Sequence, residues 1–215
     1  MARPLRHLIA DPEEKRSIGT HLRAKRWRIF GEQFPDISQM RVLDLGGTTK
    51  HWETSPFRPA SVVVVNLLPE TTEVDWITPV QGDACAVPDS VRAQSFDLVY
   101  SNSLIEHLGG HARRASFADD VHAFAPRHWV QTPYRYFPIE PHWLFPGLQF
   151  MPANLRAKAI QVWPLSPAKP RGRAALTDVL EVELVSVTEM RYYFPDSTLL
   201  RERVAGLTKS LIAVT

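Results

Sequence analysis

Short apolar runs separated by polar stretches recur along the middle of the chain. One run holds four consecutive valines at residues 62–65 and is apolar on both faces, which is typical of a buried strand in a parallel sheet. The pattern predicts five strands here, at residues 41–45, 61–66, 78–82, 96–100 and 129–132. Residues 111–125 place small apolar side chains opposite charged ones, so a helix is predicted there. This alternation indicates parallel βαβ units with helices on both faces of the sheet.

The two ends of the chain carry weaker patterns. Asp11 and Pro12 resemble a helix start and Gly31 a helix end, which predicts a helical segment over about residues 11–31. Residues 134–152 are rich in proline and aromatic residues and show no clear period. The remaining expectations are a helix at 152–163, an exposed loop at 164–173, a long strand at 181–194, a capped helix at 196–205 and a final strand at 210–214.

Composition narrows the class of protein. The 215 residues suffice for one domain, and 44% hydrophobic with 22% charged residues is typical of a globular protein. The net charge is only +2, and the arginine-rich residues 16–28 are interpreted as a solvated helix face, so no nucleic-acid partner is expected. The longest apolar run is four residues, which predicts no membrane span. With the single cysteine Cys85 and no signal-peptide pattern in residues 1–10, a cytoplasmic location is expected.

A glycine turn after the first strand is the strongest local motif. In Val42-Leu-Asp-Leu-Gly-Gly-Thr48, an acid precedes two glycines, and Gly46 and Gly47 would let the backbone approach a ligand closely. Ligands bind at the carboxyl ends of parallel strands. A phosphate-binding turn is the competing interpretation, but Lys50 follows Thr49 instead of preceding a Ser or Thr at the required place. A plain tight turn stays open as well.

Three later segments place polar groups at the ends of further strands. Asn66 ends the valine strand about 20 residues after Gly46, where a polar side chain can bind a ribose hydroxyl, although an acid is the usual choice there. Asp83 follows the third strand and either reads an adenine ring or caps the next turn. The fourth strand, beginning at Phe96, opens into a polar turn and a short helix that contains Glu106 and His107.

Together these four segments resemble the class I S-adenosylmethionine-dependent methyltransferases. The order and spacing match over residues 41–132, and the most specific piece is Ser103-Leu-Ile-Glu-His-Leu108 after Ser101-Asn102. The resemblance implies an α/β fold, a single Rossmann-like, seven-stranded, mainly parallel sheet with helices on both faces and the last strand antiparallel. It also implies one methyltransferase domain over residues 1–215, with the N-terminal helical segment (about 11–31) and a Pro/aromatic acceptor-side insert (about 133–175).

The resemblance also assigns cofactor-binding residues. The methionine part of S-adenosylmethionine is expected at Asp44, Gly46, Gly47 and Ser101, the ribose at Asn66 and Leu67, and the adenine at Asp83 and Ala84. The reaction implied is in-line transfer of the sulfonium methyl to an acceptor, in which the protein mainly supplies alignment.

The insert is expected to form the acceptor side of the site. Tyr134, Arg135, Tyr136 and Trp143 are predicted to contact the acceptor by stacking and polar contacts. His142, oriented by Glu140, is predicted as the general base, with His107 as the second choice. The alternative is a proline-stiffened loop whose aromatics only cap the core.

A divalent cation such as Mg²⁺ is a weaker expectation, with Glu106, Glu140 and His142 as its ligands. Structural zinc is not expected, since the sequence has no cysteine cluster.

Only a further resemblance indicates the chemical class of the acceptor. Chain size, Arg- and Ala-rich composition and the Pro/aromatic insert resemble the actinobacterial sugar O-methyltransferases, a group that includes a methylmannose polysaccharide 1-O-methyltransferase. This implies O-methylation of a small-molecule or oligosaccharide acceptor. A lipid or quinone-like acceptor, suited by apolar side chains at residues 144–151, and a non-catalytic binding protein with the same fold are the alternatives. The oligomeric state stays open, a homodimer included.

Overall fold

A seven-stranded sheet organises residues 18–215, the part of the chain that this computed structural model describes. The strands are β1 (Arg41–Leu45), β2 (Ser61–Asn66), β3 (Ile77–Gln81), β4 (Leu98–Asn102), β5 (Arg127–Pro133), β8 (Thr198–Val204) and β9 (Leu207–Val214), and β6 (Ile139–Glu140) and β7 (Phe145–Pro146) form a separate small hairpin. The helices are α1 (Ile18–Gln33), α2 (Thr49–Glu53), α3 (Asp89–Arg92), α4 (His111–Phe124), α5 (Ala153–Val162), α6 (Arg173–Leu180) and α7 (Val187–Tyr193). The sheet order is β3-β2-β1-β4-β5-β9-β8.

The predicted fold class is confirmed. Strands β1 to β5 pair in parallel, and β9 is antiparallel to both of its neighbours, β5 and β8. The valine strand is central as expected, because β2 lies between β1 and β3 with all four valines buried. Since successive side chains in a strand point to opposite faces, Val63 and Val65 pack on the face covered by α4, and Val62 and Val64 on the face covered by α1.

The predictions for residues 181–205 were wrong. The expected strand at 181–194 is a loop followed by α7, whose start is fixed by a capping box in which Ser186 and Glu189 bond each other's backbone N–H groups. The expected helix at 196–205 is β8. Ala205 and Gly206 both have positive φ, at 49° and 81°, and form a tight turn that folds β8 back onto β9.

Helix α1 continues past its predicted end. It ends at Gln33, while the predicted start at Asp11 lies outside the described residues. Gly31 is inside the helix instead of terminating it, and a Cβ atom at this position would collide with the ring of Phe57. The glycine is therefore required by close packing against the loop that precedes β2.

The Pro/aromatic insert builds a small hydrophobic core of its own. Buried side chains from the β6–β7 region, α5 and α6 form it, namely Trp143, Leu148, Ala157, Ile160, Ala175, Val179, Val182 and Leu184. The insert thus uses most of its apolar side chains to stabilise itself beside the carboxyl edge of the sheet. Between residues 18 and 215, none of the helices combines the length and the apolar character needed to cross a membrane.

Candidate active site

A crevice lies at the carboxyl ends of β1, β2 and β3, where the sequence places the cofactor. It encloses about 130 Å³ and is lined by Gly46, Val65, Asn66, Leu67, Gly82, Asp83, Ala84, Leu104, His107, Leu108 and Arg113. Five of the eight predicted cofactor residues therefore line one cavity. Leu67, one of these lining residues, is 66% exposed, and the next residue, Leu68, is 71% exposed.

The glycine turn is held from beneath by Asp44. This carboxyl group is fully buried, and Trp52 donates its Nε1–H to Oδ2 over 2.7 Å. Burial raises the pKa of Asp44 to about 7, although the Trp52 hydrogen bond acts in the opposite direction. A Cβ at Gly47 would collide with this carboxyl group, so Gly47 faces Asp44. Neither residue lines the crevice, contrary to the expected direct contact with methionine.

Gly46 does line the crevice, but its immediate neighbour is a side chain of the protein. Its φ is +82°, and a Cβ there would lie within 3 Å of the side chain of Leu104. Glycine is therefore required both by backbone conformation and by space. Ser101, also predicted to contact methionine, is fully buried and donates its hydroxyl to the backbone carbonyl of Leu45 over 2.9 Å. It joins the ends of β4 and β1.

Asn66 connects the glycine turn to the loop after β2. Its Nδ2 donates to the carbonyl of Gly47 over 2.7 Å, and its Oδ1 accepts the N–H of Leu68 over 3.0 Å. An amide offers two donor hydrogens and two acceptor lone pairs. One donor and one acceptor position of Asn66 are therefore left for a ligand at this end of the crevice.

Asp83, which also lines the crevice, stabilises a turn and forms an ion pair. Its Oδ1 accepts the N–H of Cys85 over 2.9 Å, and Arg113 Nη2 lies 2.9 Å from Oδ1 and 2.8 Å from Oδ2. Partial burial opposes ionisation, but these bonds hold the pKa of Asp83 below its ordinary value. Arg113 was not predicted, although the amphipathic pattern of α4 already placed it on the solvent face.

Two imidazole rings meet beside this crevice. His142 Nδ1 lies 2.6 Å from Glu140 Oε1, and the other oxygen of Glu140 accepts the N–H of Trp143 over 3.0 Å. On the opposite side of the ring, His142 Nε2 lies 3.1 Å from His107 Nε2. The sequence predicted both histidines and Glu140, but not that the two rings touch.

Glu106 completes this cluster from below. It is fully buried, and Thr132 donates to its Oε2 over 2.9 Å, while its Oε1 has no hydrogen-bond partner within residues 18–215. Glu106, His107 and His142 each offer one possible ligand atom, and these three atoms lie within 4.8 Å of one another. Glu140 contacts the far nitrogen of His142 instead of joining this group, which corrects the predicted ligand set.

The ionisation of the cluster follows from burial and from charge. Burial raises the pKa of Glu106 to about 7. Burial works against the charged form of His142, but the hydrogen bond and charge of Glu140 raise its pKa overall. Desolvation and the nearby charge of His142 lower the pKa of His107. His142 is therefore the stronger base of the two imidazoles.

A larger cavity of about 450 Å³ opens on the other side of His142. It is lined by Gly19, Leu22, Arg23, Arg26, Asn102, Ser103, Gln131, Pro133, Phe137, Ile139, Pro141, His142, Leu144, Val204, Lys209 and Ser210. Asn102 and Gln131 stand at the ends of β4 and β5. Since His107 lines the crevice and His142 lines this large cavity, the imidazole pair separates the two.

The four residues predicted to bind the acceptor do not line this large cavity. Trp143 is buried in the core of the insert, and Arg135 lies 3.7 Å from Glu189. Tyr134 packs against the main core, and Tyr136 is 59% exposed and stacks on Phe150. The backbone at Tyr134 forms a parallel bridge with Val185.

One lining residue of the large cavity comes from an element that the sequence misassigned, since Val204 lies on β8, which was predicted as a helix. Lys209 and Ser210 lie on the neighbouring strand β9, which was predicted as a strand over residues 210–214. Arg26 lies on α1, where its guanidinium pairs with Glu202 at 2.9 and 2.8 Å and donates to Asn102 over 2.9 Å. His142 was predicted as the general base, and Asn102 and Ser103 belong to the motif that carried the resemblance, but the sequence did not predict that they line one cavity with Lys209 and Arg26.

Comparison with known proteins was made on sequence and on structure. No protein-family model matches the chain, and no curated protein matches it in sequence. Solved structures do match. A putative S-adenosylmethionine-dependent methyltransferase from Listeria monocytogenes has a TM-score of 0.57 at 12% identity, with 89% of this chain and 97% of that chain covered.

Two further similar structures are complexes with the reaction product. The N-methyltransferase NodS from Bradyrhizobium japonicum WM9 with S-adenosyl-L-homocysteine has a TM-score of 0.56 at 10% identity, covering 99% of this chain and 96% of that chain. The DhpI–SAH complex has a TM-score of 0.54 at 11% identity, covering 99% and 93%. The chain therefore has the Rossmann-like fold found in S-adenosylmethionine-dependent methyltransferases.

Proposed function

We propose that this chain is an S-adenosylmethionine-dependent methyltransferase that methylates a hydroxyl group of a small acceptor, a sugar or oligosaccharide. The observation that carries the proposal is the contact of His107 with His142, which lies between a crevice at the ends of β1 to β3 and a separate large cavity. Methyl transfer needs this arrangement, because cofactor and acceptor must enter from different sides and meet in line.

The crevice suits the adenosyl half of the cofactor. Asn66 keeps one free donor and one free acceptor position for a ribose hydroxyl. Asp83 offers an ionised carboxylate for the amino group of adenine. The exposed Leu67, which lines the crevice, would be covered by the part of the ligand that extends beyond the enclosed 130 Å³, and burial of this side chain would add hydrophobic stabilisation.

The chemistry proposed at the junction is an SN2 displacement. The acceptor oxygen forms a bond to the methyl carbon, the bond from that carbon to sulfur breaks, and its electron pair stays on sulfur. In the protein without a bound cation, His142 Nε2 accepts the hydroxyl proton, and Glu140 holds the ring and stabilises its charged form. His107, with its lowered pKa, is the weaker candidate.

The lining of the large cavity favours a polyhydroxylated acceptor. Side chains that donate or accept hydrogen bonds, among them Asn102, Gln131 and Lys209, alternate with apolar Phe137 and Ile139. A sugar presents the same combination of hydroxyl groups and apolar ring faces. The five apolar side chains expected to favour a lipid or quinone are arranged differently. Leu144 lines this cavity, Leu148, Phe145 and Met151 pack on the core of the insert, and Phe150 stacks on Tyr136.

The test pairs binding with turnover. Calorimetry should detect binding of S-adenosylhomocysteine, and methyl-labelled S-adenosylmethionine should label glycosides in preference to apolar phenols. His142→Ala should lower kcat by about 10²–10⁴-fold while cofactor affinity stays nearly unchanged. His111→Ala is the matched control, because this exposed histidine lines neither cavity. Absence of cofactor binding would overturn the proposal, and label on amines alone would overturn O-methylation.

A further inference from the structure

We infer that Glu106, His107 and His142 form a binding site for a divalent first-row transition-metal cation. The three side chains come from two separate segments, the 3-10 helix Ile105–His107 after β4 and the chain that follows β6. One ligand atom of each lies within 4.8 Å of the others. No covalent or sequence proximity forces His142 into this group, since it is 35 residues from His107.

The hydrogen bonds around the cluster leave electron pairs pointing inward. Glu140 Oε1 lies 2.6 Å from His142 Nδ1, so in the neutral ring, which is the form that binds metals, the proton is best placed on Nδ1 and Nε2 is left with a lone pair. The ring of His107 also has the backbone carbonyl of Glu181 as a hydrogen-bonding neighbour, and a carbonyl can only accept. The two Nε2 atoms nevertheless face each other at 3.1 Å.

Glu106 supplies the second, independent observation. Its side chain is completely buried, and Oε1 lacks any hydrogen-bond partner in the described part of the chain. Leaving a buried acceptor unpaired costs about 1–3 kcal/mol, more when it is charged. A cation at the centre of the cluster would pair with this oxygen and with both imidazole nitrogens at once.

Geometry and ligand type indicate which cation fits. Ligands at about 2.1 Å from a metal in adjacent positions are about 3 Å apart, which matches the separation of the two Nε2 atoms. The ligand atom of Glu106 lies within 4.8 Å of the histidine nitrogens, so it must move closer to both of them to share a cation. Two imidazoles and one carboxylate suit Mn²⁺, Fe²⁺, Co²⁺ or Zn²⁺, whereas Mg²⁺ prefers oxygen ligands and its own waters. The expectation of Mg²⁺ is therefore replaced.

The surroundings hold these ligands in place. Glu140 bonds the distal nitrogen of His142, and Thr132 bonds the distal oxygen of Glu106. Such outer contacts fix the orientation and raise the basicity of metal ligands. His142 borders the large cavity, so open coordination positions can take an acceptor hydroxyl and lower its pKa. With the cation bound, His142 acts as a ligand and coordination replaces it as the means of ionising the acceptor. This last role rests on the proposed function, but cation binding does not.

The test measures cation binding without turnover. The full chain, treated first with a chelator, is titrated with Mn²⁺ and binding is followed by electron paramagnetic resonance spectroscopy. Binding of Zn²⁺ and of Mg²⁺ is measured by isothermal titration calorimetry. One Mn²⁺ or Zn²⁺ per chain should bind, at least about 10-fold more tightly than Mg²⁺. Glu106→Gln and His107→Ala should each weaken binding at least about 10-fold, and Glu140→Gln by about 10–100-fold. His111→Ala should bind as the wild type does.

Two results would overturn the inference. One is absence of stoichiometric Mn²⁺ or Zn²⁺ binding by the folded wild-type chain. The other is unchanged affinity in Glu106→Gln and His107→Ala, with melting temperatures confirming that both variants are folded. Calorimetry with S-adenosylhomocysteine on Glu106→Gln separates the two proposals, because Glu106 does not line the cofactor crevice. Loss of the metal site in this variant should leave cofactor binding intact, and absence of cofactor binding in the wild type leaves the metal site intact.

Discussion

Asp83→Asn separates the two roles that the structure gives to this side chain. A carboxylate offers about four lone-pair positions. Oδ1 uses two of them, for the Cys85 N–H and for Arg113, and Oδ2 uses one for Arg113. One position on Oδ2 is left to accept the amino group of adenine. In the asparagine variant, the amide oxygen still accepts the Cys85 N–H, so the turn persists, but the amide nitrogen in place of Oδ2 cannot accept.

The expected effect on affinity is much larger than the effect on stability. A hydrogen bond to a charged group contributes about 1.5–3 kcal/mol, so S-adenosylhomocysteine should bind about 10- to 100-fold more weakly. The side chains of Asp83 and Arg113 are 29% and 47% exposed, and such surface ion pairs contribute about 0–1 kcal/mol. The free energy of unfolding should therefore fall by no more than about 1 kcal/mol.

Calorimetric titration with S-adenosylhomocysteine and urea denaturation measure the two quantities on the same samples. Asp120→Asn is a matched control, since Asp120 accepts two bonds from Arg92 at 3.1 and 3.0 Å and lines neither cavity. It should lose similar stability and no affinity. If Asp83→Asn binds S-adenosylhomocysteine as tightly as the wild type, Asp83 only supports the turn and the adenine assignment is wrong.

Two further predictions concern charge. Burial raises the pKa values of Asp44 and Glu106 to about 7, so the folded chain binds more protons than the unfolded chain between about pH 4 and 7, and its stability should fall as pH rises through this range. Urea denaturation at several pH values should show a shallower fall in Asp44→Asn, and an equal slope would contradict the assignment. Burial and the nearby Arg26 lower the pKa of Lys209 in the large cavity. Lys209→Met should raise the acceptor KM about 2- to 10-fold with little change in kcat, and a change in kcat alone would place the acceptor elsewhere.

The sequence predicts the parallel half of the sheet well because its signals there are local. The predicted bounds of β1 and β2 agree with the structure, and β3 to β5 are shifted by no more than about two residues at either end. The predictions for residues 181–205 fail because the signals there are not local. Asp196 looks like a helix cap, but the register of β8 on β9 and the turn at Ala205–Gly206 are tertiary features that outweigh local preference.

In the candidate site, the sequence predicts where residues lie along the sheet but does not predict where their side chains point. Sequence spacing locates Asp44, Gly47 and Ser101 at the carboxyl edge of the sheet, but the direction of each side chain decides what it does. Asp44 and Ser101 point into the protein and hold the turn and the strands together. The contact of His107 with His142 depends on how the insert folds back, which its own core of Trp143 and Leu148 determines and no short motif records.

Two buried carboxyl groups mark the edge of the sheet where both ligands are proposed to meet. Asp44 and Glu106 each keep one oxygen without a partner among residues 18–215, and each has its pKa raised to about 7 by burial. When either carboxyl group ionises, its burial and its unpaired oxygen both lower the stability of the folded chain. A positive charge brought next to either carboxylate would lower its pKa and recover that stability. The inferred metal ion carries two such charges, and Glu106 is one of its proposed ligands. The unpaired carboxyl oxygen of Glu106 is therefore suited to bind this cation, whereas Asp44 lies beneath the glycine turn and lines neither cavity.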